Sequence, residues 1–171
     1  MAPFAGFNMP VQYSGIYDEH EAVRNGVGVF DVSHMGEFIL KGEHALELIQ
    51  QISSNDAAKL LNGKVQYAYL PNETGGIVDD LLIYRIDEQT YMLVVNAANI
   101  KKDWDWISAY NTYGVTLKDI SDETALFAVQ GPRAAEVLAP LTEIDLAGMA
   151  YYTFHKGIFA GVSNALISAT G

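Results

Sequence analysis

Three strand-like runs separated by two short turns constrain the fold most strongly. Runs 66–70, 77–85 and 90–96 are rich in Tyr, Leu, Ile and Val, which are enriched in β-strands. Segment 71–76, Pro-Asn-Glu-Thr-Gly-Gly, has the composition of a turn, and segment 87–89 is too short for anything else. Because strands joined by such short turns pair antiparallel, we predict a three-stranded antiparallel meander.

Helical patterns occur on both sides of this meander. Segments 15–27, 43–52 and 98–110 carry apolar residues at helical spacing, and in 43–52 they recur at i, i+3, i+4 and i+7. Two further strand-like runs, 27–33 and 35–41, lie between the first two helices. The chain therefore mixes helices with antiparallel strands, which predicts the α+β class.

A weak internal repeat suggests a duplicated unit. The pattern Gly-x-x-Ala-x-Glu that starts at Gly42 recurs from Gly131, at an offset of 88–89 residues. We predict two related units, each an antiparallel sheet with helices: a first unit at about 25–112 and a second, incomplete unit at about 113–171. The second unit ends with segments 150–154 and 158–170. Chance similarity between two strand-turn-helix units is the alternative.

Charge and composition exclude several classes of function. The chain has 21 acidic and 10 basic residues, with a net charge of −11 and no basic cluster. Nucleic acid and anionic membranes are therefore poor partners. The absence of cysteine excludes disulfide scaffolds and thiolate metal sites. No apolar run approaches the roughly 18 residues of a membrane span.

Two adjacent acids, Asp79 and Asp80, lie within an apolar predicted strand. Side chains alternate between the faces of a strand, so only one of the two acids can line a given pocket. Asp80 shares its face with Leu82 and Tyr84. A carboxylate on such a wall could bind N–H groups of a heterocycle or stabilise a cation. The alternative is that one Asp caps the turn and the other is solvated.

Other polar and aromatic residues have ordinary structural explanations. Tyr67, on the neighbouring strand, could stack on a flat ligand or be a core or edge tyrosine. Asn96 ends a strand before a helix, where a helix N-cap is the default interpretation. His34 fits a turn between strands. We interpret Asp103 and Asp105, in the predicted helix 98–110, as part of a solvated face.

Long sequence blocks resemble the glycine cleavage system T protein family. They are FAGFNMP at 4–10, GVFDVSHMGE at 28–37, NETGGIVDDL at 72–81, VNAANI at 95–100 and QGP at 130–132. The matches run in order along the whole chain. The resemblance implies a tetrahydrofolate-dependent aminomethyltransferase, which moves a one-carbon unit from the aminomethyl-lipoyl arm of H protein to tetrahydrofolate and releases ammonia.

The resemblance also implies a site, partners and a compartment. Asp80 falls at the position of the family's key pocket aspartate, which is the catalytic position. The positions that resemble folate-binding ones are Met35, Ile39, Tyr67, Leu82, Tyr84, Asn96 and Tyr152. The implied partners are lipoylated H protein and tetrahydrofolate as the acceptor, with no metal. The implied compartment is the cytoplasm, or the mitochondrial matrix of a eukaryote.

The family pattern continues beyond this chain with a Tyr-Thr-Gly-Glu segment. The sequence therefore predicts a truncated folate-binding domain spanning 1–171, which would be inactive alone, bind folate weakly and self-associate. Another folate enzyme of the superfamily, such as a demethylase or the folate half of a sarcosine or dimethylglycine oxidase, is the first alternative. The others are a non-catalytic folate-binding relative in iron-sulfur cluster maturation and an inactive structural fragment.

Overall fold

A computed structural model of the chain describes residues 1–170. The chain divides into two compact units. The sheet unit is Met35–Ala125, and the split unit combines Met1–His34 with the chain from Leu126 onward. The units predicted from the sequence repeat, about 25–112 and 113–171, describe a duplication of the sequence, whereas these compact units describe how the folded chain divides. The duplication stays a prediction.

The elements alternate between strands and helices along the chain. The strands are β1 (Ala2–Phe4), β2 (Phe7–Met9), β3 (Gly28–Asp31), β4 (Gly36–Lys41), β5 (Lys64–Pro71), β6 (Ile77–Arg85), β7 (Thr90–Val95), β8 (Thr116–Asp119), β9 (Phe127–Gln130), β10 (Thr153–Phe159) and β11 (Val162–Ala169). The α-helices are α1 (Ile16–Asn25), α2 (Ala45–Ile52), α3 (Ile100–Tyr110) and α4 (Ala134–Leu138). Short 3₁₀ turns occur at Ala57–Lys59, Ala97–Asn99, Ser121–Glu123 and Ala139–Leu141.

The sheet unit contains five antiparallel strands in the order β5-β6-β7-β4-β8. The predicted meander is confirmed, because β5, β6 and β7 are consecutive neighbours in this sheet. The register pairs Leu82 with Tyr67 on one side and with Val94 on the other. This register decides which side chains share a face, since residues directly opposite each other point the same way.

Helices α2 and α3 pack against one face of this sheet. The core they form is fully or nearly fully buried and consists mainly of Phe38, Leu40, Leu48, Ile49, Ile52, Leu81, Ile83, Tyr91, Leu93, Val95 and Ile107. Burial of each large apolar side chain contributes about 1.5–3 kcal/mol. Gly36 allows a close approach of α3 to the sheet, since a Cβ there would lie 2.6 Å from Ile100 Cγ1. The predicted α+β class is therefore confirmed.

The split unit contains three antiparallel strand pairs: β1 with β2, β3 with β9, and β10 with β11. The last pair corrects the predicted segments 150–154 and 158–170, because a hairpin turn interrupts the second of them. Ala160 and Gly161 form this turn with φ angles of 50° and 83°. Positive φ at both central residues suits the twist of a hairpin, but Ala is not a turn residue, which hid the turn in the sequence.

Candidate functional site

The Asp80 carboxylate accepts a hydrogen bond on each of its oxygens. The Tyr67 hydroxyl donates to Oδ2 at 2.7 Å, and the side-chain amide of Asn96 donates to Oδ1 at 2.8 Å. The three residues come from β5, from β6 and from the residue that follows β7. Asp80 is half-buried. The carboxylate is therefore fixed in position from both sides, with further lone pairs left for a ligand.

Asn96 does not act as the helix N-cap that we expected, and that prediction is wrong. Its side chain makes no capping hydrogen bond. Instead Nδ2 lies 3.2 Å from Asp79 Oδ1 and 3.2 Å from the Asp80 carbonyl oxygen, besides its bond to the Asp80 carboxylate. The register explains this, because Val95 pairs with Leu81 and the next residue therefore lies beside Asp80. Carboxylates are also stronger acceptors than peptide groups.

Asp80 shares its sheet face with several residues of the predicted site. The register places Tyr67 opposite Leu82, and Tyr84 opposite Met92, which in turn lies opposite Ile39. Tyr84 is only 5% exposed, whereas Tyr67 is 48% exposed. Leu82, Ile39 and Met35, the residue just before β4, are half-buried. Tyr69, opposite Asp80, is 42% exposed. The face thus combines accessible aromatic rings with an apolar surface beside a carboxylate.

Tyr152 lies in the split unit, apart from the other predicted site residues along the chain. Its backbone has a φ of 58°, and its N–H donates to the Ala169 carbonyl at 2.7 Å. Its ring packs edge-on against Tyr151, with 4.6 Å between the ring centroids. The structure therefore brings together the predicted residues of the sheet unit, and the role of Tyr152 stays a prediction.

Residues 1–171 match the family described as the GCVT N-terminal domain. The chain belongs to this family. The resemblance inferred from the sequence blocks is thereby confirmed.

Several curated relatives of the chain carry the name aminomethyltransferase. The chain is 63% identical over 171 residues to an aminomethyltransferase of Flavobacterium psychrophilum, and 58% identical to those of Bacteroides fragilis and Porphyromonas gingivalis. It spans about half the length of these curated relatives, 48% of the first and 47% of the other two.

Two solved structures resemble this GCVT domain. One is the glycine cleavage system aminomethyltransferase T from Bartonella henselae, with a TM-score of 0.78 and 34% identity over 91% of this chain and 43% of that one. The other is a heterotetrameric sarcosine oxidase from Corynebacterium sp. U-96, with a TM-score of 0.61 over 91% of this chain and 77% of that one. At 18% identity, the second shows a shared fold alone.

Asp103 is fully buried in the GCVT domain, so our interpretation of it as part of a solvated face is wrong. Its carboxyl group lies within hydrogen-bonding reach of that of Asp79 on β6, which is itself 9% exposed. The helical spacing contained the missed signal, because residue 103 falls at i+3 from Ile100 and one position before Trp104, on the inner face. Asp105 is exposed, as expected, and pairs with Lys101.

Asp79 and Asp103 have pKa values shifted in opposite directions. Burial, together with the neighbouring Asp79 carboxyl, raises the pKa of Asp103 to about 8. Burial also acts to raise the pKa of Asp79. Hydrogen bonds from Asp103, Asn96 and Asn99 outweigh that effect and hold the Asp79 pKa below its ordinary value. At neutral pH Asp103 is therefore protonated and Asp79 is ionised.

Glu37, like Asp103, is a buried acid whose burial the sequence analysis did not predict. It lies on β4, is 2% exposed, and neither carboxyl oxygen has a hydrogen-bond partner among the described residues. Burial, with a smaller effect of the nearby Asp119, raises the Glu37 pKa to about 7. The register places Glu37 opposite Val94, on the same sheet face as Asp80 and Leu82. No pattern marked it, because one Glu in a strand ordinarily faces water.

Replacing Glu37 with Gln should make the free energy of unfolding less dependent on pH. The pKa of about 7 means that the folded state retains a proton that the unfolded state releases above its ordinary value of 4.5. Stability therefore falls as pH rises from 4.5 to about 7, by on the order of 2 kcal/mol. Denaturant unfolding at pH 5 and pH 8 measures this, with the exposed Glu43→Gln as control. Parallel pH dependences of E37Q and the parent chain would contradict it.

Among residues 1–170, no group of three or more His, Cys, Asp or Glu is arranged to hold a metal ion. The described helices include none that is long and apolar enough to cross a membrane.

Proposed function

We propose that this chain supplies the Asp80 wall of a tetrahydrofolate-dependent aminomethyltransferase of the glycine cleavage system. The enzyme takes the aminomethyl group from the lipoyl arm of H protein, passes its carbon to tetrahydrofolate and releases ammonia. The observation that carries this proposal is the Asp80 carboxylate, held by Tyr67 and Asn96 on an apolar and aromatic sheet face. The names of the relatives support it.

The charge of Asp80 is available to a cationic reaction centre. No Lys or Arg forms an ion pair with it among the residues that the structure describes, and both its partners are neutral donors. A half-buried negative charge acts more strongly than one in water. Because the carboxylate is oriented in advance, it can stabilise the iminium-like carbon without reorganising during the reaction.

The surroundings of Asp80 suit a flat heterocycle. The accessible ring of Tyr67 can stack on a pterin, and Leu82 and Ile39 provide apolar surface beside it. Ligand sites commonly combine such apolar walls with a few oriented polar groups. Asp80 can accept a hydrogen bond from an N–H group of the bound ring.

The proposed transfer balances without an oxidant or a metal. The carbon loses its bonds to the amine nitrogen and to the lipoyl sulfur, and it gains bonds to two folate nitrogens. The two hydrogens released by those nitrogens leave on ammonia and on the lipoyl thiol. Asp80 stabilises the cationic carbon between the two steps.

The test is ammonia release from aminomethyl-lipoyl H protein, measured with the polypeptide that the complete gene encodes. We expect release that requires tetrahydrofolate and forms methylenetetrahydrofolate in equal amount. Activity with methylated amines and none with H protein would replace this proposal by the demethylase or oxidase alternative. The 171-residue chain, assayed in parallel, tests the expectation that it binds folate weakly and does not turn over.

Replacing Tyr67 with Phe should lower kcat by about tenfold, since one hydrogen bond to a charged group is lost while the stacking ring is kept. The substitution removes only the hydroxyl group, which donates to Asp80 at 2.7 Å. Steady-state kinetics with saturating tetrahydrofolate measures the effect. Tyr113→Phe, at a partly exposed tyrosine, is the matched control. Equal kcat for Y67F and the parent would remove Tyr67 from the site.

A further inference from the structure

A line of polar side chains leads from helix α3 to the Asp80 carboxylate. The Asp103 carboxyl group on the helix lies within hydrogen-bonding reach of that of Asp79. Asp79 Oδ1 accepts from Asn96 Nδ2 at 3.2 Å, and the same amide donates to Asp80 at 2.8 Å. Asp79 and Asp80 lie on opposite faces of β6, and Asn96 reaches both from the end of β7. The buried acids and the candidate site are thus connected through one amide group.

The buried pair needs one proton for physical reasons. Three buried oxygens of the pair accept no hydrogen bond from any other group among residues 1–170. They are Oδ1 and Oδ2 of Asp103 and Oδ2 of Asp79. Two ionised carboxylates cannot hydrogen-bond to each other, and two like charges in a buried site repel strongly. A single proton between them joins one oxygen of each carboxyl group in a hydrogen bond and removes one charge.

We propose that Asp79 and Asp103 share one proton and act as positioning residues, which hold Asn96 and through it the carboxylate of Asp80. The effect of this pair on catalysis rests on the proposed function of Asp80. The hydrogen bond from Asn96 to Asp79 limits where that amide can lie. The amide in turn limits the carboxylate of Asp80, which therefore keeps one orientation before any ligand binds.

Charged groups on three elements surround the pair and influence the pH at which it loses its proton. Asp79 and Asp80 on β6 act on the Asp103 carboxyl, and Lys102 acts on it from its own helix. Lys102 donates to the Val78 carbonyl. Glu47, the titratable residue of helix α2, is exposed and paired with His44.

Since the pKa of Asp103 is about 8, the shared proton persists at neutral pH. Above pH 8 a second negative charge appears beside Asp79. The folded state becomes less stable as pH rises from the ordinary range of a carboxyl to about 8, because only the folded state retains this proton.

The test follows the ¹³Cγ chemical shift of Asp80 with pH in the purified chain. We expect an alkaline step near pH 8 in the parent and in the control Asp105→Asn, which changes an exposed acid of the same helix. Asp103→Asn keeps a donor to Asp79 but cannot lose a proton, so the step should be absent from that variant. Circular dichroism at pH 6 checks that D103N is folded. A step that persists in D103N, or no step in the parent, would overturn the inference.

Kinetics of the polypeptide that the complete gene encodes add a second measurement. Asp103→Ala, which leaves Asp79 without its donor, should lower kcat by about tenfold with little change in KM, and D103N should recover most of that loss at pH 7. An equal loss in D103A and D103N would overturn positioning through the shared proton. The chemical shift needs no substrate. A step near pH 8 in the chain, with no tetrahydrofolate-dependent activity in the polypeptide that the complete gene encodes, would therefore refute the proposed function and leave the shared proton standing.

Discussion

Replacing Asp80 with Asn should lower tetrahydrofolate-dependent ammonia release by a factor of about 10²–10³, the usual effect of removing one preorganised charge from a reaction centre. The amide keeps the size of the side chain but removes the negative charge that we propose stabilises the cationic carbon. The neutral donors Tyr67 and Asn96 remain in place. We therefore expect a fall in kcat, with a much smaller change in the Kd of tetrahydrofolate.

Single-turnover kinetics and folate titration separate these two effects. Glu88→Gln is the matched control, because it makes the same chemical change at an exposed turn that follows β6. Unfolding curves of both variants should agree with that of the parent to within about 1 kcal/mol, since neither change alters the core. Retention of more than a tenth of the parent's kcat in D80N would contradict the proposed role of Asp80.

Replacing Phe38 with Ala should lower the free energy of unfolding by about 3–5 kcal/mol. Phe38 is fully buried at the centre of the core, and its ring packs edge-on against Trp104 with 5.1 Å between centroids. The substitution removes this contact and leaves a cavity between β4 and α3. Because whole domains are stable by only about 5–15 kcal/mol, this one change should remove a large share of the chain's stability.

Denaturant unfolding followed by tryptophan fluorescence measures this loss. Phe127→Ala is the control, since the same atoms are removed from a side chain that is 58% exposed. The control should lose less than about 1 kcal/mol. Similar losses for the two variants would mean that Phe38 does not stabilise the chain through burial.

Several features could be read from the sequence because their causes are local. The alternation of β6 separated Asp80 from Asp79, and the turn residues at 71–76 located the first hairpin of the meander. The same reasoning failed at Ala160, where a positive φ is unusual for the residue type. It also failed at Asn96, because capping is judged from the neighbouring helix, and the competing carboxylates are 16 and 17 residues away.

The sequence by itself determined the family, the α+β class, the meander and the placement of Asp79 and Asp80 on opposite faces of one strand. Only the tertiary structure decided the environment of the acids, namely that Asp103 is buried against Asp79, that Glu37 is buried, and that Asn96 joins the pair to Asp80. The reason is that strand alternation and turn chemistry act over a few residues. Burial and pKa depend on which helix covers which sheet face, and that is settled by packing between segments far apart in the chain.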